Sequence, residues 1–264
     1  MLLNAHSSPQ AVRTAARQGL WQGPTAGLAN GYVQANLAIL PKALADDFLK
    51  FCLANPKPCP LLAFATLPGQ TDFELGGKKL DIRSDAPRYN VFRAGVFTES
   101  VTDLTPYWRD DMVSFLIGCS FSFEEALQQG GIELRHQTEQ KNVPMYNTNL
   151  KLNAVGAFAG NMVVSMRPMR AADAIRAIQI CSRFPTVHGA PVHLGDPKLI
   201  GISDLQTPDY GDAVSIHADE VPVFWACGVT PQVAIKHAGA DLAFSHSPGC
   251  MLVTDLTNAS LAVL

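Results

Sequence analysis

The sequence predicts an α/β fold, and three observations support this prediction. Apolar, strand-like segments alternate with segments of helical periodicity along most of the chain. Strand–helix–strand alternation is typical of a mainly parallel sheet with helices on its faces. A different order, two strands followed by a helix and a strand, fills residues 135–203 and predicts a compact two-layer α+β subdomain. Residues 1–134 and 204–264 would then form a larger α/β domain.

Composition is that of a globular chain able to bury a large core. The 264 residues are 47% hydrophobic and 16% charged, with a formal net charge of −3. No clustered Lys/Arg surplus indicates a nucleic-acid partner, and no apolar run approaches the roughly 18 residues of a membrane span. Without a long apolar signal core near residue 1, we expect a cytoplasmic protein. Homo-oligomerisation is left open.

The first third of the chain contains two clear helix signals. SSPQAVRTAARQG predicts a helix capped by Ser7 or Ser8, with Pro9 in its first turn and Gly19 at its end. PKALADDFLKFCLAN predicts a second helix, and LLAFAT a short buried strand. Turn-rich residues 68–90 predict a surface excursion before the strand-like YNVFRAG.

The middle of the chain predicts a strand that feeds directly into a helix. DMVSFLIGCSFSF is a strongly apolar run, and SFEEALQQGG follows it with helical character. Ser122 and Glu125 fit a capping box, and Gly130 fits a helix stop. In the subdomain, VPMYNTNL, NMVVSMRPM and APVHLG predict strands, and AADAIRAIQICSRF predicts a helix.

The last part returns to strand–helix alternation. DAVSIHA, VPVFWACG and DLAFSHSPGCMLVTDL predict strands, and TPQVAIKHAG predicts a helix capped by Thr230 with Pro231 at its first position.

Two strand-to-helix turns, GCSFSFEEAL and CGVTPQVAI, are candidate substrate-binding sites. A helix N-terminus has unpaired N–H groups and a partial positive charge, which favour a carboxylate. The alternative is that both turns are only well-capped connections. The candidate residues at these turns are Cys119, Ser120, Ser122, Cys227, Gly228 and Thr230.

The six cysteines contain no CxxC motif, and most lie in apolar stretches. We expect reduced, buried side chains. Cys119 and Cys227 have a second interpretation, since a thiolate at a helix start has a lowered pKa and can act as a nucleophile.

Other polar residues suggest contacts with a small carboxylate. Arg167 and Arg170 precede a helix, and guanidinium groups bind carboxylates at two points. Asn147 and Asn149 share one strand face because side chains alternate along a strand. The alternatives are a solvated helix start and an exposed strand end.

His193 and Asp196, in HLGD, can meet across a turn as an acid–base pair. Pro191 and the five-residue spacing from His188 oppose a two-histidine metal chelate. Asp209 and Asp212 are further candidate acids. They belong to a stretch with several carboxylates that either binds a divalent ion or forms solvated turns.

Several segments together resemble the D-glutamate cyclase family over nearly the whole chain. They are GYVQANLAILP, GCSFSFEEAL, PMYNTN, GNMVVSMRPM, HGAPVHLGDP, GISDL, PDYGD, EVPVFWACGVTPQ and SPGCMLVTD. The resemblance implies a larger three-layer α/β/α part with a smaller two-layer part. It also implies a hydro-lyase of small amino or hydroxy carboxylates. The best-defined member of the family resembles an enzyme that converts D-glutamate to 5-oxo-D-proline and water, and for bacterial members another small carboxylate is the alternative substrate.

Such a reaction requires a carboxylate-binding group, a base for the amine and an acid for the leaving oxygen. No phosphate-binding loop is present, so no nucleotide is expected, and a divalent metal stays open. Two other functions remain: a non-catalytic carboxylate-binding or regulatory protein, and a cysteine-dependent amide or lactam hydrolase.

Overall fold

The computed structural model describes residues 3–263. Its helices are α1 (Pro9–Arg17), α2 (Lys42–Ala54), α3 (Phe121–Gln129), α4 (Arg135–Thr138), α5 (Ala171–Ser182) and α6 (Thr230–Ala238). Its strands are β1 (Tyr32–Pro41), β2 (Leu61–Phe64), β3 (Asp72–Glu74), β4 (Lys79–Asp81), β5 (Tyr89–Arg93), β6 (Val96–Val101), β7 (Met112–Gly118), β8 (Met145–Lys151), β9 (Asn161–Arg170), β10 (His193–Leu194), β11 (Glu220–Ala226), β12 (Ala243–His246) and β13 (Leu252–Thr257). None of these helices is both long and apolar enough to cross a membrane.

The larger sheet has seven strands in the order β2-β7-β1-β12-β5-β6, with β13 also paired to β1. Every pairing in it is antiparallel. The prediction of a mainly parallel sheet was therefore wrong. Strand β1 pairs with β7, β12 and β13, which come much later in the chain, so the order of elements alone did not fix the strand directions.

The smaller sheet has four antiparallel strands in the order β10-β11-β9-β8. Three of them lie within the predicted subdomain at 135–203, but β11 lies beyond it. The mixed α/β character is confirmed. The three-layer arrangement and the division into two domains stay predictions.

The core of the larger sheet is rich in aromatic side chains. Phe48 of α2 packs edge-on against Phe115 at 4.8 Å and against Phe158 at 5.1 Å, measured between ring centroids. All three are fully buried. Fully burying a side chain of this size contributes about 1.5–3 kcal/mol, so these contacts help to hold α2 on the sheet.

The smaller sheet has a core of its own with α3 and α5. Trp225 of β11 and Phe123 of α3 meet with ring centroids 5.8 Å apart, and Ala177 and Cys181 of α5 belong to the same buried cluster. Helix α3 also contacts β1 of the larger sheet. It therefore lies between the two sheets and holds them in a fixed relation.

Several local predictions were confirmed and others were wrong. The Ser8 side chain caps α1 by accepting from the Ala11 N–H at 3.2 Å. The capping box at Ser122 does not form, because α3 begins at Phe121 and the Ser122 hydroxyl accepts from Gln34 N–H instead. DAVSIHA contains no strand, and β6 was not predicted. All six cysteines are buried and free, as expected.

Candidate active site

An open cavity of about 630 Å³ lies beside the β5–β6 hairpin, under α6, and is bordered by the loops at 22–24 and 247–250. This volume is within the range of small-molecule sites. Its lining consists of Gln22, Gly23, Pro24, Arg88, Asn90, Phe92, Phe97, Ser100, Tyr210, Gln232, Lys236, Ser247, Pro248 and Cys250.

Regular backbone periodicity aims the principal polar side chains into the cavity. Arg88, Asn90 and Phe92 alternate along β5 and the residue before it, so they share one face of the sheet. Gln232 and Lys236 are four residues apart on α6 and share one face of that helix. The cavity is therefore enclosed between a strand face and a helix face.

The electrostatic character of the cavity is positive. Arg88 and Lys236 are its charged lining residues, and no Asp, Glu or His lines it. Within residues 3–263, neither cation has a carboxylate partner within 4.0 Å. Arg88 Nη2 lies 3.5 Å from Gln22 Oε1, and Lys236 Nζ lies 6.0 Å from the centre of the Tyr210 ring. Unpaired cations in such a recess attract an anion.

Two other sizeable cavities have a different character. One, of about 550 Å³ beside α1, has no charged lining residue. The other, of about 710 Å³ beside α3 and α5, contains one carboxylate and one guanidinium, Glu125 and Arg183. Only the cavity under α6 combines two cations with an acid-free lining among these three.

Tyr210 is held at the cavity by three residues that the sequence had suggested as catalytic or substrate-binding. Asp209 accepts from the backbone and side-chain N–H groups of Asn147, at 2.8 and 2.7 Å. Asp212 accepts from Asn142 N–H at 2.9 Å. Burial, with the nearby charge of Asp209, raises the pKa of Tyr210, so its phenol stays protonated. Asp209 and Asp212 thus position Tyr210 and do not line the cavity themselves.

The two predicted strand-to-helix turns converge, but in the closed interior. Asn36 of β1 donates to the Gly118 carbonyl at 2.7 Å, and a Cβ at Gly228 would overlap the Asn36 side chain. The Thr230 hydroxyl accepts from Val163 N–H at 3.0 Å and anchors α6 to β9. Thr230 is thus the first residue of the helix and not its cap. These contacts fix the helix that carries Gln232 and Lys236.

The thiols at these turns are not activated. Cys119 and Cys227 belong to one buried cluster, against which Tyr210 packs. Burial raises the pKa of Cys119 far above that of an ordinary thiol, and burial raises the pKa of Cys227 to about 11. This is the opposite of the lowered pKa expected for a nucleophile at a helix start.

Arg167 is fully buried and has protein partners on each of its nitrogens. Its Nε donates to Glu124 Oε1 at 3.1 Å, Nη1 to Ser165 Oγ and Nη2 to Ser120 Oγ, both at 3.1 Å. The guanidinium lies 5.3 Å from the Trp225 ring centre. Neither Arg167 nor Ser120 is therefore free to bind a substrate carboxylate.

Glu124 is the acidic centre of this buried network. His136 Nε2 lies 3.1 Å from its Oε1, and Gln137 donates to its Oε2 at 2.7 Å. Burial by itself would raise the pKa of Glu124, but the charges of His136 and Arg167 outweigh it and lower the pKa to about 2. The network joins α3, α4 and β9 with its charges compensated.

The remaining predicted residues also lie away from the cavity. Arg170 Nε pairs with Asp219 at 2.9 Å on the surface. Asn149 shares the exposed face of β8 with Asn147, as predicted, but packs near Gly201. The Ser122 hydroxyl accepts a hydrogen bond from the Gln34 N–H of β1.

His193 does not meet the carboxylate of Asp196. Its Nε2 lies 2.8 Å from the Asp196 backbone carbonyl and donates to it, while the Asp196 side chain accepts from Lys198 N–H at 3.0 Å. The predicted acid–base couple is therefore replaced by two local turn contacts.

No group of three or more His, Cys, Asp or Glu side chains within the described part of the chain is arranged to hold a metal ion. The acidic residues at 204–220 have separate partners, such as Asn147 for Asp209 and Arg135 for Glu220.

Sequence reasoning missed the main cavity residues, Arg88, Asn90, Gln232 and Lys236. One signal was available: Asn90 is a polar residue near the start of the strand-like YNVFRAG, and it shares a strand face with Arg88. Nothing in the sequence showed that this face would lie opposite α6.

Fold and cavity together define an α/β protein with a cationic recess of a size suited to a small carboxylate. Comparison with known sequences shows to which family this α/β protein belongs. The chain belongs to the D-glutamate cyclase family, whose sequence model matches residues 113–255. That segment includes Tyr210, Lys236 and Ser247 of the cavity.

Similar bacterial proteins extend the match to almost the full length. A protein of Burkholderia multivorans named “Putative hydro-lyase” is 59% identical over 97% of this chain and 98% of its own length. A protein of the same name from Paraburkholderia phytofirmans is 60% identical over 97% and 99%. A Bordetella pertussis relative, also named as a hydro-lyase, is 58% identical over 99% and 94%.

Among solved structures, a nitrogen repressor-like protein from Methanococcus jannaschii aligns over 93% of this chain and 97% of that chain. The identity is 9% and the TM-score 0.39.

Proposed function

We propose that this protein is a hydro-lyase of a small amino carboxylate, with D-glutamate as substrate and 5-oxo-D-proline and water as products. The observation that carries the proposal is the pair of cations, Arg88 and Lys236, without acidic partners in a cavity of about 630 Å³. Family membership supports the reaction class.

The cavity can bind and orient such a substrate. The Arg88 guanidinium is suited to a two-point contact with one carboxylate, and the Lys236 ammonium to a point contact with a second. Contacts to both carboxylates can hold the substrate in a folded conformation with its amine near the distal carboxyl carbon, which lowers the entropic cost of ring closure.

The proton balance of the reaction needs no outside donor. A C–N bond forms between the amine and the distal carboxyl carbon, and one C–O bond of that carboxyl breaks. Two of the three ammonium protons leave with the oxygen as water, and one stays on the lactam nitrogen. The protonated phenol of Tyr210 lines the cavity and can give a proton to the leaving oxygen before it recovers one from the amine.

Incubation with D-glutamate and chiral detection of 5-oxo-D-proline tests the proposal. A panel of related amino and hydroxy acids, each with and without Mg²⁺ or Mn²⁺, covers the other substrates of this class. Ligand-induced thermal stabilisation with no product from any acid would favour a carboxylate-binding protein without lyase activity.

A further inference from the structure

Asn90 is a largely buried side chain of the cavity, and only the oxygen of its amide has hydrogen-bond partners among the described residues. Asn90 is 9% exposed. Its Oδ1 accepts from Ser100 Oγ at 2.7 Å and from Ser247 Oγ at 2.6 Å. Throughout residues 3–263, its Nδ2 has no acceptor.

We propose that the Asn90 amide donates a hydrogen bond to the carboxyl oxygen of the substrate at which ring closure takes place, and that Ser100 and Ser247 hold the amide in the donating orientation. The substrate part of this inference depends on the function proposed above. The donor itself is a property of the cavity.

The orientation of the amide follows from its two hydroxyl partners. Ser100 lies directly opposite Asn90 in the antiparallel β5–β6 pair, so their side chains share a face. Ser247 follows β12, which pairs with the other edge of β5. In the structure both hydroxyls donate to the amide oxygen, which places the NH₂ group at the end away from the two serines.

The Asn90 side chain is largely buried, but its Nδ2 is accessible from the cavity, so it is free to donate to a ligand bound there. Asn90 lies between Arg88 and Phe92 on the strand face that lines the cavity. A carboxyl oxygen that becomes more negative when the amine attacks is the acceptor that would gain most from this fixed neutral donor. Arg88 and Lys236 attract the carboxylates by their charge, and Asn90 orients one carboxyl oxygen by a directional hydrogen bond.

The test uses Asn90→Asp, which keeps the shape but replaces the NH₂ donor by a carboxylate oxygen. We expect carboxylate binding, measured from the thermal stabilisation by D-glutamate and by 5-oxo-D-proline, to weaken at least tenfold. Asn149→Asp is the matched control, since Asn149 is exposed on β8 outside the cavity, and it should bind both ligands as the wild type does.

Ser100→Ala provides a test that does not depend on the folding of the Asn90 variant, because Ser100 is exposed. As a positioning residue, Ser100 should affect kcat more than KM. Ser247→Ala should likewise lower kcat more than it changes KM. Ser247→Thr, which has a hydroxyl at the same position, should keep the turnover that Ser247→Ala loses. Unchanged binding in Asn90→Asp, or equal changes in kcat and KM in both serine variants without rescue by threonine, would overturn the inference.

The two proposals fail in different ways. Ligand binding that depends on Asn90, without product from any acid, would disprove the proposed lyase activity. The proposal that Asn90 donates a hydrogen bond to the ligand would still stand. Product formation that is insensitive to Asn90 would disprove the donor and leave the lyase.

Discussion

Two arginines of this chain show what distinguishes a structural charge from a binding charge. Arg167 is fully buried, and each of its nitrogens donates to a protein oxygen, with Glu124 as its counter-ion. Arg88 is exposed at the cavity, and within residues 3–263 its guanidinium has a single hydrogen-bond contact, at 3.5 Å from the neutral Gln22. A charge that is already compensated stabilises the fold, whereas an uncompensated one in a recess is available to a ligand.

The comparison also shows why Arg167 was the more attractive residue in the sequence. It lies near the end of an apolar strand that leads into a helix, as a ligand-binding residue often does. Its partners, Glu124 and Ser120, are distant in the sequence. The sequence therefore gives no sign that they accept the hydrogen bonds of the Arg167 guanidinium. The cavity residues come from equally distant segments, which the β5–β6 and β5–β12 pairings bring together with α6.

The largest effect is expected from removing both cavity cations. In Arg88→Gln/Lys236→Gln, each lost charge-assisted hydrogen bond should cost about 1.5–3 kcal/mol, so carboxylate binding should weaken by more than about 100-fold. Titration calorimetry with D-glutamate measures this, and the melting temperature should stay near that of the wild type. Undiminished affinity would show that the ligand binds elsewhere.

Breaking the buried pair should affect stability instead. Glu124→Gln leaves the Arg167 charge without a counter-ion, and the free energy of unfolding should fall by about 3–5 kcal/mol. The matched surface variant Arg170→Gln breaks the exposed pair with Asp219 and should cost no more than about 1 kcal/mol. Urea unfolding compares the two. Similar losses in both variants would contradict the distinction between the two regions.

The next effect concerns pH. Burial lowers the pKa of His188 and of His246 to about 4 from 6.5. The unfolded chain therefore binds protons first, and the stability that these neutral imidazoles contribute above pH 6.5 should decline as the pH falls to about 4. Glu124, with its pKa lowered to about 2 from 4.5, loses its contribution only at still lower pH.

Urea midpoints measured from pH 7 to pH 3 check this order. His246→Gln should flatten the upper part of the profile, because the His246 ring nitrogen then no longer titrates. A wild-type profile that is flat between pH 6.5 and 4 would contradict the assignment.

The smallest effect is expected at the buried thiols. Cys119→Ala and Cys227→Ala should retain most of the turnover, because burial raises the pKa of both thiols and neither lines the cavity. Initial rates with D-glutamate check this. Complete loss of activity in a well-folded Cys119→Ala protein would instead support a cysteine-dependent hydrolase.

Local signals in the sequence predicted local structure well. Ser8 and Pro9 correctly placed the start of α1, and the strands at VPMYNTNL and NMVVSMRPM are β8 and β9. The prediction of strand direction was wrong, because β1 pairs with β7 and β12, which are distant in the sequence. In the PDYGD motif, Tyr210 is the residue that lines the cavity. Asp209 and Asp212, which were predicted as acids, accept hydrogen bonds from main-chain N–H groups instead.

The most direct test of the central claim is an experimental structure of the protein with bound D-glutamate. We expect the ligand in the cavity under α6, with its carboxylates within hydrogen-bonding distance of Arg88 and Lys236 and one carboxyl oxygen near Asn90 Nδ2. A ligand bound instead in the cavity beside α3 and α5, with Arg88 and Lys236 unoccupied, would contradict the account.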